Sequence, residues 1–411
     1  MIWKKHNAAR NLILKGYDDM IQTLLSQFPV SEYEARLEKV LAGMEKAGID
    51  ALILTSDENT YYFTGFRSIV WDSKVSILGT LVITKDGGMA FATSQGAAKT
   101  AAGSCCVEDM RIFGEDGYPS YTKAIVSLLE EKGLKKGKIG FEFGDGQKIH
   151  LNYNLLQELF EELKDAERVE AASLLWEVRC VKSPLEIVKL REACEINIKS
   201  IQKGFDGLYE GMTEMELYGL IMSEYYRLGA ERTLPIGLRA GEDRYSHVNS
   251  PPSYRPIMKG DIILVDGGPV YHGYYSDIIR QAVIGKPTDL QQEMFDVARE
   301  ACYKGIEAVK PGIPICEVSK AVEQYMENSK FSEYHTYANR GTYGHSIGVG
   351  VHEFPMISHK SAMPLQAGMT FAIEPYFYKE GVGSLGIEEN ILVTENGCEI
   401  LTPSDSTLMR R

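Results

Sequence analysis

The runs Ile262-Ile263-Leu264-Val265-Asp266-Gly267-Gly268 and Tyr274-Tyr275-Ser276-Asp277-Ile278-Ile279-Arg280 decide how this chain folds. An apolar stretch that ends on a carboxylate and two glycines reads as a buried strand entering a turn. His272-Gly273 supplies a second turn. The two runs are therefore predicted as adjacent strands of one hairpin, with Asp266 and Asp277 side by side.

Two further carboxylates stand in the same kind of setting. Glu374 ends the run Met369-Thr370-Phe371-Ala372-Ile373, and Glu388 lies between Ile387 and Ile391-Leu392-Val393. A carboxylate in an apolar strand calls for a cation, a proton or a hydrogen-bond network, because burying it alone is costly. Glu389 and Glu395 look more turn-like and read as edge residues facing water. His345 sits in Gly344-His345-Ser346-Ile347-Gly348, where glycines let an imidazole approach a site closely. Four carboxylates and one imidazole suit a pair of divalent ions such as Mn(II), Co(II), Zn(II) or Fe(II). Two such ions about 3.5 Å apart share a water, lower its pKa and polarise a carbonyl.

A short internal repeat surrounds these positions. Glu210-Gly211-Met212 recurs as Pro311-Gly312-Ile313, and the stretch from Lys259 to Asp266 recurs from Ala367 to Glu374. Each copy of the second stretch ends on a carboxylate. The repeat predicts two similar halves related by a pseudo-twofold, with Asp266 and Glu374 facing each other.

Upstream the texture is that of a small α/β domain. Ser31 to Glu34 fits a capping box opening a helix to about Lys46, with Gly48 as its stop and Ala51-Leu52-Ile53-Leu54 as a buried strand. Leu78–Thr84 and Met89–Thr93 flank Asp86-Gly87-Gly88, a hairpin signal. Lys138–Phe143 reads as a strand and Leu151–Leu163 as a helix. Ser183-Pro184-Leu185-Glu186 combines a capping box with proline at the first helical position and opens a long helix. The expected domains are 1–172 and 173–411, with the join between about 172 and 183.

The 411 residues exceed what one core usually organises. A composition of 44% hydrophobic and 25% charged residues is that of a globular protein. The net charge of -13 opposes binding to nucleic acid or to anionic membranes, which leaves a peptide or a small molecule as ligand. No membrane-length apolar run and no signal-peptide pattern is present, so a cytoplasmic location is expected. Seven cysteines without a CxxC pair point to neither a disulfide framework nor a thiolate zinc site.

The motifs now assembled resemble those of the pita-bread metallopeptidases, a family that includes methionine aminopeptidases, Xaa-Pro aminopeptidases and prolidases. The matching pieces are Val265-Asp266-Gly267-Gly268, Ser276-Asp277-Ile278-Ile279-Arg280, Gly344-His345-Ser346-Ile347-Gly348, His352-Glu353-Phe354-Pro355, Ile373-Glu374-Pro375 and Ile387-Glu388-Glu389-Asn390. The resemblance implies an α/β (α+β) protein in which an N-terminal creatinase-like domain precedes a pita-bread catalytic domain. It implies that Asp266, Asp277, His345, Glu374 and Glu388 hold two metal ions, foremost Mn(II). It also implies that His247 and His352 stabilise the substrate carbonyl and that Glu374 doubles as proton shuttle. The activity implied is hydrolysis of the bond before proline by a metal-bridging hydroxide, of aminopeptidase P or prolidase type.

The segment Asn59-Thr60-Tyr61-Tyr62-Phe63-Thr64-Gly65-Phe66 resembles the prolidase and creatinase branch, whose members are usually dimers. A homodimer is the expectation; Tyr62 and Trp71 are candidates for contact with the partner's site, set against their more ordinary reading as core or loop aromatics. The match departs from the Xaa-Pro pattern at Gly386 in place of Arg, Gly341 in place of His, Ser346 in place of Gly, and Tyr376 in place of Gly. These departures carry a second expectation, a metal-dependent C-N hydrolase or lyase of a small amino-acid derivative, similar to creatinase or ectoine hydrolase. A non-catalytic peptide-binding relative is a third, opposed by the intact ligand set. Arg340, Arg239 and Arg232 are candidates to supply a cation for a substrate carboxylate. His272, His335 and His359 match no motif and read as surface or structural residues.

Overall fold

The structure is a computed structural model that describes residues 27–69, 79–114, 116–234, 236–247, 250–335 and 341–411. The chain divides into two compact units between Val178 and Arg179, inside the helix Ala172–Cys180.

In the first unit six strands form one mixed sheet. They are β1 (Ala51–Leu54), β2 (Thr80–Thr84), β3 (Met89–Ser94), β4 (Met110–Phe113), β5 (Lys138–Phe141) and β6 (Glu167–Glu170), ordered β4-β3-β2-β1-β5-β6. The hairpin signal forms as read: β2 and β3 pair antiparallel around Gly87, which takes φ 83°. The helices Tyr121–Glu131 and Tyr153–Glu162 bury Ile125, Leu129 and Leu159 in the core of this sheet.

The helix Val30–Ala47 stops at Gly48 in the left-handed conformation, as its sequence suggests. Its start corrects the expectation: Pro29 is the N-cap, no side chain caps it, and Ser31 falls inside the first turn. Buried Phe28 packs edge-on against Tyr33 and under the Arg36 guanidinium, and this apolar anchor sets the entry in place of a capping box. Tyr62 is likewise corrected. Its ring is buried beneath Arg36, 4.3 Å from the guanidinium carbon, so it serves the core of this unit and offers no face to a partner. Trp71 lies outside the described residues.

The second unit uses one plan twice. The helices Pro184–Asp206 and Glu214–Arg227 precede a four-stranded sheet, ordered β20-β12-β9-β8, of β8 (Gly237–Ala240), β9 (Ile262–Gly267), β12 (Ile278–Val283) and the C-terminal β20 (Met409–Arg410). The helices Asp289–Ala308 and Ile315–Glu327 precede a five-stranded sheet, ordered β14-β13-β15-β18-β19, of β13 (Thr342–Ser346), β14 (Glu353–Ser358), β15 (Thr370–Ile373), β18 (Glu389–Thr394) and β19 (Gly397–Ile400). Short strands β7 (Arg232–Thr233), β10 (Pro269–Tyr271) and β11 (Tyr274–Tyr275) make a small third sheet, and β16 (Tyr376–Lys379) pairs with β17 (Gly383–Gly386).

The internal repeat is visible in backbone detail. Gly211 and Gly312 take φ 91° and 88°, and Gly260 and Gly368 take φ 88° and 92°. The amide of Gly211 donates to the Ile257 carbonyl and that of Gly312 to the Leu365 carbonyl, each at 2.8 Å. Both turns need the left-handed region that glycine enters without strain, so the repeated glycines have a geometric cause. The capping box at Ser183 and Glu186 forms as read.

Asp266 and Asp277 do lie on neighbouring strands, with Asp266 opposite Ile279 in the β9/β12 pair. The simple hairpin is corrected, since β10 and β11 intervene and pair with each other. Arg280 of β12 stitches the two large sheets together. Its buried guanidinium donates to the Glu388 carbonyl at 2.6 Å, to the Glu389 carboxylate at 2.8 Å and to the Thr402 carbonyl at 3.1 Å. Glu389 is thereby corrected from a water-facing residue to a buried one, also bonded by Ser406 at 2.7 Å. No helix among the described residues is long and apolar enough to cross a membrane.

Removing one member of a buried ion pair strands the other charge, so Arg280→Leu should cost about 3–5 kcal/mol of stability. The double variant Arg280→Leu/Glu389→Leu should recover a large part of that loss in urea unfolding, and an additive loss would show that the pair does not couple the sheets.

Candidate metal centre

Each expected ligand sits at the end of a strand where the backbone leaves the sheet. Asp266 lies in β9 and Asp277 immediately precedes β12 in the first half. In the second half His345 belongs to β13, Glu374 follows β15 and Glu388 precedes β18. A strand terminus holds a side chain rigidly while its tip projects beyond the ladder, which suits a converging site. Gly344 makes the approach of His345 feasible: with φ 150°, a Cβ there would fall 2.0 Å from the Ala372 carbonyl oxygen.

The side chains converge. His345 Nε2 lies 3.5 Å from Glu374 Oε1, 3.9 Å from Glu388 Oε1 and 4.0 Å from Asp277 Oδ2. Three overlapping groups have ligand atoms within 4.8 Å of one another: Asp266, Asp277 and Glu388; His345, Glu374 and Glu388; and Asp277, His345 and His352.

A frame of amides holds this arrangement from behind. Asn390 accepts from the Asp277 amide at 3.0 Å and donates to the Asp277 carbonyl at 2.5 Å. Ser276 Oγ donates to Asn390 at 3.1 Å, Asn197 donates to Ser276 Oγ at 3.1 Å and to the Gly267 carbonyl at 2.9 Å, and Tyr225 donates to Asn197 at 2.6 Å. Gly268 closes against the same frame, since a Cβ there would meet the Ser276 carbonyl at 2.0 Å. Asn390 stands in the motif that contains Glu388, yet nothing in its spacing reveals this bracing role.

The electrostatics are those of a site built for cations. Asp277 Oδ1, both carboxylate oxygens of Glu388 and His345 Nε2 are buried with no hydrogen-bond partner among the described residues. Burial, and then the charges of Asp266 and Glu374, push Asp277 well above the usual carboxylate range. Burial followed by the Asp277 charge does the same to Glu388. Burial raises Asp266 to about 6, against the pull of Arg239. Glu374 keeps a side-chain exposure of 31%, yet withdrawal from water inside the cleft and the Asp266 charge bring it up to about 8. Burial and the neighbouring His352 pull His345 down to about 3, and its Nδ1 lies 3.1 Å from the Ser346 carbonyl. A neutral imidazole that donates through Nδ1 turns its Nε2 lone pair toward the carboxylates, as metal binding requires. Hard oxygen donors, one imidazole and orphaned lone pairs together fit divalent metal ions.

His352 lies on the open side, its ring 4.2 Å from that of His345 between centroids. The next residue, Glu353, is buried and gripped by Arg179, by Lys182 at 3.4 Å and by the Gly350 amide at 2.9 Å. Burial alone would raise its pKa, but the two cations hold it below the usual carboxylate range. Lys182 also donates to Ser346 at 3.1 Å, so the serine that stands where glycine was expected ties the ligand strand to this ion cluster. His247 is exposed, with Nδ1 3.4 Å from Arg244, and belongs to none of the three groups. Arg239 is buried, Arg232 donates to the Tyr275 hydroxyl at 2.9 Å, and Arg340 lies outside the described residues. His335 is buried against Tyr343, and His359 pairs with Glu323 at 2.7 Å.

Comparison with known proteins identifies the family. Residues 188–395, half of the chain, match the model of metallopeptidase family M24, and residues 36–181 match the creatinase/prolidase N-terminal domain. The protein is a metal-dependent hydrolase with a pita-bread catalytic unit. The chain belongs to metallopeptidase family M24. It is 27% identical to a Xaa-Pro dipeptidase of Pyrococcus horikoshii over 91% of this chain and 98% of that one. It is 29% identical to an uncharacterised peptidase of Staphylococcus saprophyticus over 89% of this chain and 99% of that one. The solved structure of a Xaa-Pro dipeptidase from Bacillus anthracis superposes with a TM-score of 0.81 at 26% identity, covering 92% of this chain and all of that one.

Protons and metal compete for these carboxylates, so divalent-ion affinity should rise with pH through about 6 and about 8. A carboxylate whose folded pKa is raised stabilises the fold below its unfolded pKa, and that contribution is lost as pH rises through the folded value. Metal-stripped protein should therefore lose thermal stability between pH 5 and 8, and the rise in Tm on adding Mn(II) should grow over the same range. An Mn(II) effect that is flat or shrinks with pH would contradict this reading of the cluster. Asn390→Ala should lower metal occupancy without touching any ligand, measurable by elemental analysis after dialysis.

Proposed function

We propose that this protein is a dinuclear-metal Xaa-Pro dipeptidase that hydrolyses the bond before proline. The observation that carries the reading is that two of the three overlapping groups, Asp266-Asp277-Glu388 and His345-Glu374-Glu388, contain all five expected ligands and share Glu388. One shared carboxylate between two sets of donors is the layout that a pair of ions requires. The kinship with Xaa-Pro dipeptidases along nearly the whole chain supports the substrate class. Mn(II) is the ion proposed first, since carboxylate-rich sites suit it.

When bound, the ions supply a water of lowered pKa and polarise the scissile carbonyl. The protein does the rest. Asp277 and Glu388 are fixed by the Asn390 frame and the Arg280 bracket, and their burial keeps bulk water from screening the site. Glu374 is the proton carrier, because at 31% side-chain exposure it is far more open than Asp277 at 9% or Glu388 at 1%. His352, on the open side, donates to the substrate carbonyl as negative charge develops on its oxygen. His247 is assigned to the same substrate-facing role.

Mn(II)-loaded protein should release amino acid from Xaa-Pro dipeptides, and the metal-stripped protein should not. Silence on proline peptides with metal demonstrably bound, together with turnover of creatine or ectoine, would replace this reading with that of a small-molecule C-N hydrolase. Asp277→Ala and Glu388→Ala should each lose metal and lower kcat/KM by at least about 100-fold. His352→Ala should lower kcat by about 100-fold with metal content unchanged. Loss of metal in that variant would make His352 a ligand, through the third triad.

A further inference from the structure

The loop between β13 and β14 is wrapped around a buried carboxylate that the proposed chemistry does not use. Ser346 closes β13, Glu353 opens β14, and the two stand opposite each other in the pair. Residues 347–352 between them end on His352, the histidine on the open side of the cluster. Glu353 is 1% exposed and turns back into this loop, where its Oε1 accepts from the Gly350 amide at 2.9 Å. Glycines make the room it needs. A Cβ at Gly348 would lie 2.6 Å from Glu353 Oε2 and 3.0 Å from Lys182 Cε, and one at Gly350 would lie 3.4 Å from Glu353 Cγ.

Two buried cations hold the carboxylate from behind. Arg179 pairs with Oε1, while Lys182 Nζ lies 3.4 Å from Oε2 and donates to Ser346 Oγ at 3.1 Å. Lys182 therefore spans the opposed pair at the base of the loop. Both cations belong to a segment fastened to the five-stranded sheet, since Val181 bridges Met369 and the Lys182 amide donates to the Gly368 carbonyl at 2.9 Å. The loop is fastened on its other side as well, where the Gly348 carbonyl accepts from the Tyr275 amide at 2.9 Å. A buried ion cluster is a weak source of stability, because desolvation offsets much of the Coulomb gain. What it supplies here is one fixed arrangement of the turn at 350–353, with both oxygens of Glu353 engaged.

That arrangement matters because the His352 imidazole has two destinations. Asp277, His345 and His352 each offer a ligand atom within 4.8 Å of the other two, and the His352 ring lies 4.2 Å from that of His345 between centroids. A small shift of the turn would carry the imidazole in among the ligands, and the opposite shift would carry it away from the scissile carbonyl. The ring follows the backbone that Glu353 fixes.

We propose that Glu353, clamped by Arg179 and Lys182, is a positioning residue that holds the His352 imidazole at the open side of the cluster and out of the ligand set. This inference rests on the reading of His352 as a substrate-facing donor and deepens it. Misplacement of a catalytic group by about 1 Å can cost about 100-fold in rate, so a rigid support beneath it is part of the chemistry.

Two variants disturb the support in different ways. Glu353→Gln keeps the shape of the side chain and removes its charge, whereas Gly348→Ala keeps every charge and pushes on Oε2. On Ala-Pro with Mn(II) bound, each should lower kcat by at least about tenfold, with KM within about threefold and metal content unchanged. Since Glu353 acts through His352, combining either variant with His352→Ala should give protein no slower than His352→Ala alone. Losses that multiply would make the ion cluster a general support of the fold and overturn the assignment. Loss of metal from Glu353→Gln would overturn it too, by placing the effect on His345 through Ser346. A second arm needs no substrate. In Zn(II)-loaded protein carrying isotope-labelled histidine, the His352 imidazole signals are identified by their loss in His352→Ala. They should move or broaden in both support variants while those of His345 stay in place, and Gly348→Ala carries both arms if Glu353→Gln does not fold. Unmoved His352 signals would overturn the assignment. Moved signals sustain it even if no proline peptide is cleaved, an outcome that would sink the peptidase reading alone.

Discussion

Four carboxylates share one protein cleft only where a cation, a proton or a hydrogen-bond network offsets their charge. At separations near 4 Å their mutual repulsion and lost hydration are each large, and the protein surrounds them with too few donors to offset either. The orphaned oxygens of Asp277 and Glu388 are the residue of that conflict. Much of the second unit can be understood as scaffolding that keeps like charges together: the Asn390 and Asn197 amides and the Arg280 guanidinium brace backbone around the candidate ligands, the Tyr225 hydroxyl holds Asn197, and the candidate ligands' carboxylate oxygens are left untouched. Divalent cations suit the arrangement, in which burial and mutual repulsion push Asp277 and Glu388 well above the usual carboxylate range.

The duplicated plan explains how such a cluster is assembled. Each half presents a strand that begins just after a left-handed glycine, at Gly260 and at Gly368, and that carries a carboxylate at its far end, Asp266 or Glu374. Two copies placed about one cleft supply paired ligands without a new fold. The halves then diverge. Only the second contributes an imidazole, through Gly344 and His345, and only the first contributes the buried Arg280 that bonds across to Glu389. The frame is shared between the halves, and the side chains set on it are not.

Much of this was legible in the amino-acid order. The strands ending on Asp266 and Glu374, the glycine-flanked His345, the capping box at Ser183 and Glu186 and the repeated glycines are local signals, because a turn or a strand end is decided by a few neighbouring residues. Other readings failed where a distant segment decided the outcome. Ser31 looked like a cap, but burial of Phe28 against Tyr33 and Arg36 fixed the helix start. Glu389 looked like a surface residue, but Arg280 arrives from another sheet to bury it. Of the two readings open for Tyr62, partner contact and core, Arg36 selects the core by covering the ring.

The candidate donors could be picked out from the amino-acid order alone, because ligand chemistry is a property of side-chain type and the strand-end positions follow from hydrophobic period and glycine placement. Which of these groups lie within reach of one another, that Asn390 braces Asp277, and that Pro375 and Tyr376 leave no room for a Cβ at Gly386 emerge only in three dimensions. Those are facts about distances between residues far apart in the chain, and they arise when two sheets close on one cleft.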